Sequence, residues 1–145
     1  MIKQTLSELI NNHFDAVEAK DLDAVLDCYH IEAEFLDPHY PNIHMKGKDE
    51  IREGLTWGFK SIKKFSFTAE NYFENENKTS AAVEMTTKLE LSNGQKLSFT
   101  QVFIVETKQG KIYRCQAYET YGPHGMHNIL LKITRIIKKL KQGSL

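Results

Sequence analysis

The hydrophobic period of the chain changes near Lys64, and that change limits what it can fold into. Up to about Lys64 apolar residues recur every three to four positions, and from Phe65 they alternate. The first spacing gives a helix one apolar stripe, and the second gives a strand one apolar face. Leu6, Leu9, Ile10, His13, Phe14 and Val17 form such a stripe, which predicts a helix over residues 2–19. A shorter helix follows Asp21, whose side chain can accept from freed first-turn amides, with Leu22, Val25, Leu26 and Tyr29 inward. Ala33 to Leu36 reads as a strand stopped at Asp37-Pro38, because proline has no amide for a ladder. After an irregular loop from His39 to Gly47, a third helix is expected from about Asp49 to Ile62.

Beyond Lys64, Phe65, Phe67, Ala69, Asn71 and Phe73 alternate with polar neighbours, as do Val83, Met85, Thr87, Leu89 and Leu91. Asn93-Gly94 marks a tight hairpin, since both residues tolerate positive φ. The next strand sets Leu97, Phe99, Gln101, Phe103 and Val105 on one face, and a turn at Lys108 to Gly110 leads into Ile112 to Tyr121. Helices first and a meander of three or four strands after predict an α+β domain. Val102 and Ile104 make the opposite sheet face partly apolar too. Its simplest cover is another copy of the chain, a homodimer through the outer face. The final segment is a helix with a stripe of Met126, Ile129, Leu130, Ile133, Ile137 and Leu140. The expected organisation is one domain, residues 1–121, extended by this helix over 122–145.

Composition narrows the classes of function. With 145 residues the chain buries roughly 70% of its unfolded surface as a single domain. Cys28 and Cys115 are too few for a disulfide framework, and the N-terminus lacks a secretory pattern, so two reduced thiols in the cytoplasm are expected. Net charge is zero but uneven: residues 1–40 hold nine acids against Lys3 and Lys20, and residues 111–145 hold seven bases against Glu119. The basic end can lie against an acidic surface of its own or a partner chain. A basic amphipathic helix can also bind membranes, but this one lacks aromatic anchors, and such a helix more often docks on its own domain. A membrane partner is therefore not expected. Neither a phosphate loop nor a basic-aromatic stripe is present, which argues against nucleic acid. Asp37, His39 and His44 match no standard metal spacing, so no metal or cofactor is expected.

Three polar residues break the apolar pattern: His13 within a helical stripe, Gln101 in phase with Phe99 and Phe103, and Asp37 ending a strand. A buried polar group without a partner costs roughly 1–3 kcal/mol, so each needs a partner or a wet hollow. Facing one hollow together, they would form a ligand site. Each also has a plain structural account: a satisfied core histidine, an amide bonded across a bulge, and a turn aspartate.

The run from Asp21-Leu22-Asp23 through Ala33-Glu34-Phe35-Leu36-Asp37-Pro38, then Gly47 and Ile51-Arg52-Glu53, resembles the nuclear transport factor 2-like superfamily, nearest its SnoaL-like and ketosteroid-isomerase branch. The resemblance covers about residues 3–121. It implies a cystatin-like cone, a strongly curved antiparallel sheet around N-terminal helices, commonly dimeric through its outer face. It puts Asp37 at the isomerase's aspartate base, a role the isomerase is known for, His13 at its tyrosine position and Gln101 at its second acid. The implied activity is that of an isomerase, dehydratase or cyclase acting on a small apolar carbonyl compound. Asp37 would move the proton and His13 and Gln101 would donate hydrogen bonds, with Tyr40, Trp57, Phe59, Tyr118 and Tyr121 as pocket walls. The alternative is a non-catalytic ligand-binding or dimeric scaffold protein on the same fold.

Overall fold

The computed structural model describes residues 2–119 and 126–143, so Tyr121 and Gly122-Pro123 lie outside the described residues. Helix α1 (Leu6–Glu18) starts later than its stripe suggests, because Thr5 caps it. The Glu8 amide donates to the Thr5 hydroxyl at 3.2 Å, and the Thr5 amide returns a bond to the Glu8 carboxylate at 2.8 Å. Helix α2 (Leu22–Asp27) is capped by Asp21, which accepts from the Ala24 amide. Tyr29, expected on that helix, instead opens strand β1 (Tyr29–Leu36). It pairs with Ile112 far along the chain, and the Ile112 amide donates to Cys28 O at 2.8 Å. Strand β2 (His44–Lys46) lies where an irregular loop was expected, and it buries Met45 against β1. Helix α3 (Gly47–Ser61) follows directly, with the Glu50 carboxylate accepting from the Lys46 amide at its start.

Four long strands complete the sheet: β3 (Ile62–Glu74), β4 (Ser80–Leu91), β5 (Lys96–Lys108) and β6 (Lys111–Glu119). The order is β2-β1-β6-β5-β4-β3, antiparallel throughout except for the parallel β1–β6 pair. Register shifts between Ala69 and Asn71 and between Glu106 and Thr107 add the local twist that curves the sheet. Its concave face holds α1 and α3. Ile10, Val25, Met45, Ile51, Val83 and Ile112 are completely buried there, each side chain contributing about 1.5–3 kcal/mol. Both cysteines are buried free thiols.

Helix α4 (Met126–Gly143) does not dock as expected. Its apolar residues from Ile129 to Leu140 are 47–69% exposed, apart from the half-buried Leu131. The outer sheet face is likewise uncovered, with Phe73 and Tyr118 exposed and Val102 and Ile104 half-buried. No described helix is long and apolar enough to cross a membrane.

Candidate functional site

The apolar fill of the cone stops short between α1, α3 and the sheet, leaving a narrow cavity of about 50 Å³. Its wall is mostly aromatic and aliphatic, with Phe14, Phe35, Phe65, Phe67 and Phe103 prominent. Six side chains on it carry polar atoms: His13, Asp37, His39, Tyr40, Thr87 and Gln101. A larger groove, about 550 Å³, lies between residues 3–6 and the turns near Asn77 and Gln109, but carries no carboxylate, histidine or aromatic ring.

His13 reaches the cavity from the buried stripe of α1, flanked edge-on by Phe14 and Tyr29. Its Nε2 lies 3.0 Å from the Tyr29 hydroxyl, while Nδ1 is buried without a partner among the described residues. Burial pulls the imidazole down to about pKa 4, so it is neutral near pH 7. Burial also holds the Tyr29 phenol well above its ordinary value and pushes the Cys115 thiol up to about 12. When the Tyr29 hydroxyl donates to Nε2, the ring proton sits on Nδ1, the atom left for a ligand.

Gln101 enters from the inner face of β5, as its phase with Phe103 requires. Its Nε2 donates to the Thr87 hydroxyl at 2.8 Å, and its Oε1 is buried without a partner among the described residues. The amide nitrogen is thus already engaged where a free donor was expected. A half-turn of the amide would exchange Nε2 and Oε1, because the Thr87 hydroxyl can accept or donate.

Asp37 ends β1 at the cavity mouth and is buried. Its Oδ1 accepts from the His39 amide at 2.9 Å and from His39 Nδ1 at 2.7 Å, a turn that proline at position 38 preforms. Both of these bonds fall on Oδ1, so among the described residues Oδ2 has no hydrogen-bond partner. The other His39 nitrogen, Nε2, lies 2.5 Å from the Glu119 carboxylate at the end of β6. The ring stacks on Phe99, 5.1 Å between centroids, and roofs the mouth. The Asp37 hydrogen bond is the main cause holding His39 above the ordinary histidine range; partial burial opposes it, and the Asp37 and Glu119 charges add to it. The two carboxylates bind opposite nitrogens of one ring, so they do not converge on a shared ion. Among the described residues no cluster of three or more His, Cys, Asp or Glu side chains could hold a metal.

The expected pocket walls divide. Tyr40 lines the cavity, and burial holds its phenol well above the ordinary value, chiefly by desolvation. Trp57 and Phe59 stand one layer back, Trp57 against Tyr40 at 5.9 Å and Phe59 against Phe65 at 5.9 Å. Tyr118 does not belong to the site, since alternation along β6 turns Ala117 inward and Tyr118 to the outer face, 46% exposed. Tyr121 lies outside the described residues. Sequence reasoning missed His39, Thr87, Phe99 and Glu119 as parts of this site. Thr87 carried a readable signal, being the polar member of an inward series with Val83 and Met85. Phe99 carried one too, as a member of the face that holds Gln101. His39 and Glu119 become neighbours only through the β1–β6 pairing.

A family model described as a SnoaL-like domain matches residues 10–115. The chain belongs to the SnoaL-like family, within the nuclear transport factor 2-like superfamily, and its α+β cone is the fold of that group. No curated protein matches it in sequence. Among solved structures it is similar to a Mycobacterium tuberculosis protein in complex with estradiol-17beta-hemisuccinate, at 16% identity and TM-score 0.69, over 77% of this chain and 91% of that one. It is similar to a putative polyketide cyclase from Pseudomonas putida, at 18% identity and TM-score 0.66, over 86% and 94% of the two chains. A putative isomerase from Bacillus subtilis matches at 20% identity and TM-score 0.69, over 79% and 85%. At these identities the likeness is one of fold.

Proposed function

We propose that the protein binds a small, mostly apolar carbonyl compound inside the cone and moves a proton on it, as an isomerase, dehydratase or cyclase would. One observation carries this reading: Asp37, His13 and Gln101 line one otherwise apolar cavity, and His13 Nδ1 and Gln101 Oε1 are buried without a partner among the described residues. Orphan polar atoms in an apolar wall are costly unless a ligand completes them. Asp37 Oδ2 is assigned the acid–base role, because a carboxylate can take and return a carbon-bound proton. The neutral His13, with its proton on Nδ1, would donate to the oxygen on which charge develops. Gln101 fixes the far end of the ligand, and Tyr40 walls the entrance. The steroid and cyclase relatives support the ligand class. The test is deuterium exchange at the α-carbon of small cyclic ketones and enones, followed by NMR. Exchange catalysed by the native chain and lost in Asp37→Asn supports the proposal; equal exchange by both sinks the role of Asp37.

A second reading, ligand binding without chemistry, has its own support. Among the described residues both bonds of the Asp37 carboxylate serve its own turn, and about 50 Å³ is small beside the roughly 300–1,000 Å³ of ordinary ligand pockets. Saturable binding without any exchange would favour it. In either reading the half-apolar outer sheet face is assigned to a second copy of the chain, as a homodimer. Two buried free thiols fit a reducing cytoplasm.

A further inference from the structure

Among the described residues two broad apolar surfaces are left bare, one bordered by bases alone and the other by an excess of carboxylates. On α4, Ile129, Leu130, Ile133, Ile136, Ile137 and Leu140 are exposed. At 3.6 residues per turn they fall within an arc of about 120°. Lys132, Arg135, Lys138, Lys139 and Lys141 lie outside that arc, and no acid occurs anywhere after Glu119. The second surface is the outer face of the sheet. Strand register sets Leu36, Gln116, Ile104, Ala82 and Phe73 side by side across β1, β6, β5, β4 and β3. Tyr118, Val102 and Glu84 form the next level on one side, and Glu34, Arg114 and Glu106 the next on the other. Carried on to β2, the same register sets His44 beside Leu36 and Lys46 beside Glu34. The apolar strip is thus flanked by three carboxylates against two bases, of which Arg114 is paired with Glu106 at 3.3 Å, so its border is weakly acidic.

We propose that α4 of one copy lays its apolar stripe on the outer sheet face of a second copy, so that each chain clasps the other about a two-fold axis. This rests on the pairing of copies proposed above and is independent of any chemistry in the cavity. A closed two-fold arrangement covers both bare surfaces at once, since each copy offers one helix and one sheet face. The lysines on one border of the stripe, Lys132 and Lys139, meet the glutamates bordering the strip, and Lys141 borders its other edge. Pairing α4 with α4 would gather ten bases with no acid between them, and a lipid surface would cover the helix while leaving the sheet face bare.

The test is sedimentation equilibrium of the full chain at physiological salt, from one to one hundred micromolar. The native chain should be a dimer, and Ile133→Asp with Ile137→Asp should weaken the dimer at least a hundredfold. The far-UV circular dichroism of the variant should stay native, because these side chains are solvent-exposed in the single chain, and its melting point should fall only to that of the dissociated native chain. Lys132→Glu with Lys139→Glu, or Glu84→Lys with Glu106→Lys, should each weaken association, and the four changes together should restore it. A native chain that stays monomeric overturns both the clasp and the pairing beneath it. A dimer indifferent to the α4 changes overturns the clasp alone. A monomer that co-sediments with phosphatidylglycerol vesicles, and loses that binding in the Ile133→Asp, Ile137→Asp variant, overturns both and gives the α4 stripe to a lipid surface.

Discussion

The imidazole of His39 lies 2.7 Å from the carboxylate of Asp37, two residues earlier, and its other nitrogen faces Glu119. A neutral imidazole has one N–H, whereas both oxygens facing it are acceptors, so the bridge calls for the doubly protonated ring. The buried carboxylate of the cavity is thereby joined through one ring to a carboxylate that solvent reaches. His39 is both the roof of the cavity and the link from Asp37 to water.

The bridge has a pH dependence of definite sign. A histidine held above its ordinary pKa contributes stability that is fully present below the unfolded value and lost as pH rises through the folded value. Raising the pH through the elevated His39 pKa should therefore loosen the mouth. The imidazole NMR titration of Glu119→Gln should move His39 back toward the ordinary range. An unmoved titration would mean that Glu119 does not hold the ring.

His13 acts in the opposite sense. Its pKa falls to about 4 on folding, so between about 6.5 and 4 the unfolded chain binds the extra proton. Stability should fall across that window by roughly 3 kcal/mol, since each tenfold loss of proton affinity is worth about 1.4 kcal/mol. Urea unfolding of His13→Leu should lack that acid-side loss. Parallel pH profiles for the two chains would contradict the buried neutral assignment.

Gln101 and Thr87 should separate binding from stability. Replacing both with apolar residues of similar shape, Gln101→Leu with Thr87→Val, removes the hydrogen bond together with the orphan Oε1. The expected stability change is near zero or favourable by about 1 kcal/mol, while affinity for a polar-ended ligand drops. Calorimetric unfolding and ligand titration measure the two.

Gly58 controls the Tyr40 wall. A Cβ built there would come within 3.1 Å of the Tyr40 ring and 3.2 Å of its hydroxyl, so the ring must yield. Gly58→Ala should cost about 1–3 kcal/mol by overpacking and weaken ligand binding as Tyr40 shifts. Unchanged binding would remove Tyr40 from the entrance.

Most of the fold was legible from period alone. The stripe of α1, the Asp21 cap of α2 and the alternation of β4 and β5 lie where local pattern puts them. The missing parts depend on distant partners: β1 extends back to Tyr29 because Ile112 pairs with it, and β2 exists because β1 offers an edge. The polar residues His13, Gln101 and Asp37 stood out as breaks in the apolar pattern, and all three line one cavity. Tyr118 was assigned inward because a run apolar on both faces hides its phase, which Ala117 settles. The free stripe of α4 was not legible, since an amphipathic pattern announces that a face needs cover without saying which surface covers it.

The most direct test of the central claim is an NMR titration of the native chain with small cyclic ketones and phenols, watching the His13 ring and the Gln101 side-chain amide. The account predicts that both move together and saturably, and that Asp37→Asn alters the response. If neither group moves with any compound while the chain stays folded, the cavity is packing space and the ligand-site account is wrong.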